Sequence, residues 1–311
     1  MLHIQPIDSF DLPELAPYRT LRYQFEHRAQ GIFVAEGEKV VRRLIESRLP
    51  VLSVMLPEKW LEDFQRHLAG RVEDIRVFVG AKDLLEQLTG FTMYQGVLAV
   101  GKVPSPPSLE TILETSPRPL LLVAADELSN AQNMGVLVRN CAAFAAHALL
   151  AGETCCSPFL RRAVRASMGT VFNLPVIEVG SDLPTNRSSR RLEARSQLRN
   201  AECGMRNPTQ EAESLQVGCG GLADTLRQLR LHGVRCIAAH PHTDRRTLPQ
   251  ADFTGDCCIV LGSEGQGINP VVLEQCDEAV AIPMPPEVDS LNVGSASAVF
   301  LYEAARQRGQ M

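Results

Sequence analysis

The stretch 282–305, IPMPPEVDSLNVGSASAVFLYEAA, decides how the rest of the chain is read. Ile282 closes an apolar run, and Pro283, Pro285 and Pro286 stop it, because proline fixes φ and carries no donor for a ladder or a helix interior. Ser290 and Asn292 then stand where a helix is expected to open. Polar side chains and free N–H groups converge there. Behind them Gly294, Ser295, Ala296, Ser297 and Ala298 let the helix approach another backbone closely before Phe300, Leu301 and Tyr302 bury larger groups. Such an element suits tight packing within one chain or across a dimer. Taken alone, it is equally an ordinary strand, turn and capped helix.

Two upstream stretches sharpen the reading. Residues 259–268, IVLGSEGQGI, are a strand followed by a glycine turn holding one carboxylate, Glu264. Gly262, Gly265 and Gly267 permit close backbone approach to a ligand. Their GxxGxG order is not the dinucleotide GxGxxG and lacks the Lys-Ser/Thr of a phosphate loop, which argues against a Rossmann dehydrogenase or an ATPase. Residues 121–141, LLVAADELSNAQNMGVLVRNC, are an apolar strand handing over to a helix that carries Asn133, Gly135 and Arg139.

Together, Asn133-x-Gly135-x-x-x-Arg139, Gly262-Ser263-Glu264-Gly265 and Ser290-Leu291-Asn292-Val293 resemble the three motifs of the SpoU/TrmH branch of the SPOUT RNA methyltransferases. The resemblance implies an α/β fold: a C-terminal, mostly parallel sheet closed by a trefoil knot, one of the rare exceptions to unknotted topology. It also implies a homodimer and S-adenosylmethionine as methyl donor, without a metal. The reaction implied is methylation of a ribose 2′-hydroxyl in rRNA or tRNA. An RNA-binding protein that kept the fold and lost catalysis is the alternative.

Residue roles follow from the same resemblance. Gly262, Ile282, Leu291 and Ser290 would hold the donor, with Asn292 completing the pocket. Arg139 is assigned to the 2′-oxygen. A guanidinium with a pKa above about 12 hardly deprotonates, so stabilising a developing oxyanion and clamping a phosphate suits it better than acting as base. It could also form an ion pair with Glu127 or another acid. Asn133 is expected to orient Arg139 or the ribose, and Glu264 to pair with Arg139 or hold substrate. Ala131 and Gly294 depart from the family pattern without touching these roles.

The chain has 311 residues, of which 45% are hydrophobic, room enough for two units and a sizeable core. The start, MLHIQPIDSFDLPE, carries acids where a signal peptide needs bases, and no apolar run approaches twenty residues, so no membrane partner and a cytoplasmic location are expected. The nine cysteines form no CxxC pair or zinc-ligand spacing and are read as free thiols. Net charge is −5, a mild argument against nucleic acid, although phosphate binding needs only a local basic surface.

Residues 1–18 are expected to be a poorly ordered leader. The stretch 19–30, with Arg19, Arg22 and Arg28, reads as a polar helix that is either solvated or RNA-contacting. Alternating apolar runs and amphipathic helices from 32 onward make 19–102 a small α/β unit. Phe33-Val34-Ala35-Glu36-Gly37 and Gln95-Gly96-Val97 resemble landmarks of the family's RNA-binding domain, with Lys39, Arg42 and Arg43 as candidate RNA contacts. Pro- and Ser-rich 103–119 marks a linker. Residues 120–311 carry the methyltransferase pattern, with five or six strands expected. Arg165, in Arg165-Ala166-Ser167-Met168-Gly169, also matches the family and is a further candidate for RNA. Polar 181–220 reads as a largely disordered insertion, either a basic RNA-gripping arm or a solvated loop.

Overall fold

The computed structural model describes residues 1–21, 24–89, 96–180, 221–241 and 246–309. The expected insertion 181–220 lies outside them, as do Arg22 and Gln95. Two sheets organise the described chain.

The first contains β1 (Leu2–Ile7), β2 (Ile32–Glu36), β3 (Val51–Leu56), β4 (Ile75–Gly80) and β5 (Leu98–Lys102), in the order β1-β4-β3-β5-β2. Strands β1, β4 and β3 are parallel, and β5 runs antiparallel to both its neighbours. Three amphipathic helices follow strands as the periodicity predicts: α3 (Glu38–Glu46), α4 (Leu61–Leu68) and α5 (Lys82–Thr89). Two short helices, α1 (Ala16–Arg19) and α2 (Gln24–Ala29), stand where one polar helix was expected.

The leader expected at 1–18 is corrected by the structure. Leu2–Ile7 pairs along the whole edge of β4, and behind it Leu15 and Tyr18 are fully buried. The Tyr18 and Ser53 hydroxyls hydrogen-bond at 2.8 Å. An edge strand pairs through its backbone and needs little side-chain periodicity, and Pro6 is tolerated because an edge leaves one side of the ladder open. The segment 103–119, read as a linker, contains α6 (Leu109–Thr115), capped by Ser108, whose hydroxyl accepts from Thr111 N at 3.1 Å. Ile112 and Leu113 pack against the second sheet.

That sheet contains β6 (Leu121–Ala125), β7 (Ala148–Ala151), β8 (Val176–Glu178), β9 (Arg235–Ala239), β10 (Cys257–Leu261) and β11 (Glu278–Val280). The order is β11-β9-β10-β6-β7-β8, and every neighbouring pair is parallel. LLVAA in β6 and CCIVL in β10 are buried at every position, the pattern of central strands covered on both faces. The helices are α7 (Ala131–Ala143), α8 (Arg161–Ala166), α9 (Leu222–Leu231), α10 (Pro270–Leu273) and α11 (Val293–Gln307). The next strand in sequence after β8, β9, lies on the far side of β6, and β10 fills the gap between β9 and β6. In such sheets ligands gather at the carboxyl ends near the reversal. Among the described residues no helix is long and apolar enough to cross a membrane.

The small residues of α11 serve α7 first. Asn140 Nδ2 donates to the Gly294 carbonyl at 2.7 Å and to Ser297 Oγ at 2.9 Å, and a methyl on Gly294 would collide with Val136. The outward face of α11 keeps Val299 and Tyr302 exposed.

Candidate active site

The site is built at the carboxyl ends of β6 and β10 and at the opening of α11. Beyond Leu261 the glycine turn folds back on itself: Ser263 N donates to Gly267 O at 2.9 Å, and Gly267 N to Ser263 O at 3.0 Å. A Cβ on Gly262 would lie closer than 3.0 Å to the backbone of Gly267 and Ile268, which explains glycine there. Beneath the turn, buried Asp126 accepts from Asn269 N at 2.7 Å. Burial raises its pKa, and that hydrogen bond opposes the rise.

Asn292 caps α11, its Oδ1 accepting from Gly294 N at 2.8 Å. The other half of its amide joins distant segments. Nδ2 donates to Asn133 Oδ1 at 3.3 Å, across 159 positions of sequence, and to the Glu264 carboxylate. Asn133 is held in turn by the cap of α7, where Asn130 Oδ1 accepts from Gln132 N at 2.8 Å and Asn133 N at 3.3 Å. Next to this junction is a cavity of about 360 Å³. Gly262, Glu264, Ile282, Ser290 and Leu291 line it, together with His240 and Phe300.

The structure therefore brings Asn133, Glu264 and Asn292 together and places Gly262, Ile282, Ser290 and Leu291 on the cavity wall. Asn133 and Asn292 stand beside the wall, outside the lining. Arg139 is elsewhere. At about 100° per residue, six positions turn it roughly 240° around α7 from Asn133. It is exposed, is no part of the cavity, and has no partner among the described residues. Neither pairing expected for it occurs in the single chain: Glu264 meets Asn292, and Glu127 meets Asn269 Nδ2 at 3.5 Å.

The three basic candidates for RNA have protein acceptors. Arg42 forms ion pairs with Glu38 and Asp63, with its guanidinium 5.1 Å from the Phe64 ring centroid. Arg43 donates to the Met168 carbonyl at 2.6 Å, and Arg165 to Glu36 at 2.7 Å. Sequence reasoning missed Asn140 and His240. Asn140 follows Asn133 by seven residues, the i, i+7 spacing of one helix face, and His240 directly follows a parallel strand, so both left a signal.

A sequence profile of the SpoU rRNA Methylase family matches residues 120–186 and 193–302, more than half of the chain. An uncharacterized tRNA/rRNA methyltransferase of Mycobacterium tuberculosis is 27% identical over 98% of this chain and 93% of its own length. The 23S rRNA (guanosine-2′-O-)-methyltransferase of Ralstonia nicotianae is 28% identical over 81% of this chain and 84% of its own. Among solved structures, the SpoU methyltransferase AviRb from Streptomyces viridochromogenes superposes with a TM-score of 0.68 at 23% identity, covering 94% of this chain and 96% of that one. An rRNA methyltransferase from Sinorhizobium meliloti gives 0.71 at 19% identity, covering 98% of each. With the matched segments spanning the parallel sheet, the glycine turn and the capped final helix just described, the chain belongs to the SpoU rRNA Methylase family of RNA methyltransferases.

Proposed function

We propose that the protein transfers a methyl group from S-adenosylmethionine to a ribose 2′-hydroxyl of rRNA or tRNA, with rRNA the expected substrate, in the cytoplasm. The observation that carries this reading is the junction at Asn292, which ties Asn133 and Glu264 to the opening of α11 beside the cavity. Relatives support it: the Ralstonia protein is named as a guanosine-2′-O-methyltransferase, and an AviRb structure is described in complex with AdoMet.

The residues present fit the donor. At about 360 Å³ the cavity falls within the range of roughly 300–1,000 Å³ usual for small-molecule sites. Its wall combines backbone brought close by Gly262 with apolar Ile282, Leu291 and Phe300, suited to an adenosine. S-adenosylmethionine, when bound, supplies a methyl group on a positive sulfur with a neutral leaving group. The tasks left to the chain are placement and the bearing of charge on the 2′-oxygen, and placement of two bound reactants is worth roughly 7–11 kcal/mol at best. Asn292 and Glu264 fix the wall of the donor site. Arg139, permanently charged, stabilises the oxyanion and holds the adjacent phosphate, which helps to take the proton.

Since Arg139 lies off its own chain's cavity, this role calls for a homodimer in which it enters the partner's site, and the exposed Leu291, Val299 and Tyr302 suit such a contact. The trefoil threading of the C-terminal segment belongs to the same reading. In the N-terminal unit Lys39 and Arg43 remain exposed for RNA phosphates, whereas Arg42 is enclosed by its two acids and Phe64.

The test is transfer of tritiated methyl to transcripts of 16S rRNA, 23S rRNA and tRNA, with 2′-O-methyl positions mapped by resistance to alkaline hydrolysis. Incorporation at a ribose is expected. Donor binding by calorimetry without incorporation into any RNA would overturn the reading in favour of an RNA-binding protein that has lost catalysis.

A further inference from the structure

We propose that Glu36 is a positioning residue: clamped by Arg161 and Arg165, it locks the N-terminal unit onto the sheet that carries the donor cavity and so sets where RNA held by that unit is presented. The inference rests on the proposed RNA methyl transfer. Glu36 ends β2, in the N-terminal unit, and is 6% exposed. Each carboxylate oxygen takes one cation from α8, in the other unit: Oε2 accepts from Arg161 Nη1, and Oε1 from Arg165 Nη1 at 2.7 Å. The two arginines are four residues apart, hence on one helix face. A buried carboxylate without a partner is costly, so the pairing of both oxygens is a built feature.

Other contacts repeat the same crossing. The Phe33 ring lies 5.5 Å from Phe159 and 5.3 Å from Phe172, Arg43 reaches the Met168 carbonyl, and Arg28 pairs with Glu178 at 2.8 Å. Helix α8 then leans on α7, where a methyl on Gly135 would lie closer than 3.0 Å to the Ala163 carbonyl and the Ala166 side chain. The N-terminal unit therefore sits one helix away from α7, which carries Asn133 and Arg139.

Why this arrangement positions rather than merely stabilises follows from the nature of the bonds. Units joined by a short connection are expected to move relative to each other unless an interface prevents it. Stacked rings allow sliding and rotation. Two directional bonds to one buried carboxylate do not, and a buried ion pair contributes orientation more than stability, since an apolar substitute often stabilises as well. RNA bound by a unit that swings freely meets the donor site in only a fraction of molecules, and the apparent affinity falls by that fraction.

The test uses the full chain, with Glu36→Gln as the main variant and Arg161→Lys, which keeps the charge but loses the fork, as a milder second. Initial rates of tritiated methyl transfer to transcribed 16S and 23S rRNA give KM and kcat, calorimetry gives donor affinity, and cleavage by a glutamate-specific protease after Glu110 or Glu114, within 103–119, with small-angle scattering reports the union of the units. If the docked fraction drops to about a tenth, KM for RNA rises about tenfold in Glu36→Gln while kcat and donor affinity stay within about twofold. Cleavage becomes faster, and Arg161→Lys shows a smaller change of the same kind. Wild-type KM, cleavage and scattering in both variants would overturn the lock, as would a fall in kcat with KM unchanged. Should Glu36→Gln not fold, Arg161→Lys decides. A wild-type protein that methylates no RNA overturns the activity reading, and cleavage and scattering then judge the lock separately.

Discussion

The glycine turn offers the sharpest quantitative test of the donor site, through Gly262→Ala. A Cβ there would lie inside 3.0 Å of the Gly267 carbonyl carbon and oxygen and of Ile268 N, all of them backbone atoms that cannot swing aside as a side chain would. Restoring ordinary contact requires the turn to open by roughly an ångström, and overpacking of this kind costs about 1–3 kcal/mol. The paired hydrogen bonds between Ser263 and Gly267, 2.9 and 3.0 Å, are the first to lengthen. Gly262, Ser263, Glu264, Gly265, Gln266 and Gly267 all line the cavity, so an opened turn moves the wall proposed to receive the donor. If the bound state needs the closed turn, that cost appears in affinity and S-adenosylmethionine binds about 5- to 150-fold more weakly. Gly265→Ala is the internal control: its Cβ meets nothing within 4 Å and its φ is not positive, so binding is expected near wild type. Calorimetry measures both variants, and a thermal melt confirms that each is folded. Wild-type affinity in Gly262→Ala, or an equal loss in Gly265→Ala, would refute the reasoning.

Further outcomes are expected at three residues. Arg139→Ala abolishes methyl transfer while donor affinity stays within a few-fold and the melting temperature hardly moves, since an exposed side chain without a described partner contributes within about ±0.5 kcal/mol; loss of donor binding together with activity would contradict its assigned role. Asn292→Ala removes a helix cap and a three-way junction, and is expected to destabilise by about 0.5–2 kcal/mol from the cap alone, read in denaturant, as well as to lose transfer. Asn292→Asp keeps the cap acceptor but sets a carboxylate against Glu264, so in the same assays it should lose transfer while its stability in denaturant falls less than that of Asn292→Ala. Asp126→Asn separates charge from hydrogen bonding. Because burial raises the folded pKa of Asp126, its contribution to stability is full below the unfolded value and is lost as pH rises through the folded one. The asparagine variant, which retains an acceptor for Asn269 N, should gain on the wild type as melts move from pH 4 to pH 7, and an advantage that shrinks over that range counts against the assignment.

Much of the fold could be read because burial leaves a periodic trace. The all-apolar LLVAA and CCIVL runs mark central parallel strands, and the alternation of apolar runs and amphipathic helices read from 32 onward appears as β2 to β5 with α3, α4 and α5 between them. The failures fall where few side chains carry the signal. Leu2–Ile7 joins β4 through main-chain bonds that its mixed side chains do not advertise, and Leu109–Thr115 docks by two buried residues inside a stretch whose prolines and serines read as a spacer.

The site was legible only as far as local grammar reaches. A capping Asn at 292 and a close-packed Gly at 262 are consequences of a helix start and a tight turn, and both follow from neighbours in sequence. That the amide of Asn292 spans from Asn133 to Glu264 does not, because nothing in spacing encodes a contact across 159 positions. The arginines show the same limit from the other side. Arg161 and Arg165 look in sequence like any basic helix face, and a face of that kind can bind phosphate, meet solvent or clamp an acid. Which of these it does depends on whether a carboxylate arrives opposite, and here Glu36 arrives from 125 and 129 residues away. Arg139 is a cation for which no such acid arrives among the described residues, and an unpaired guanidinium on the helix that also bears Asn133 suits the substrate role proposed for it.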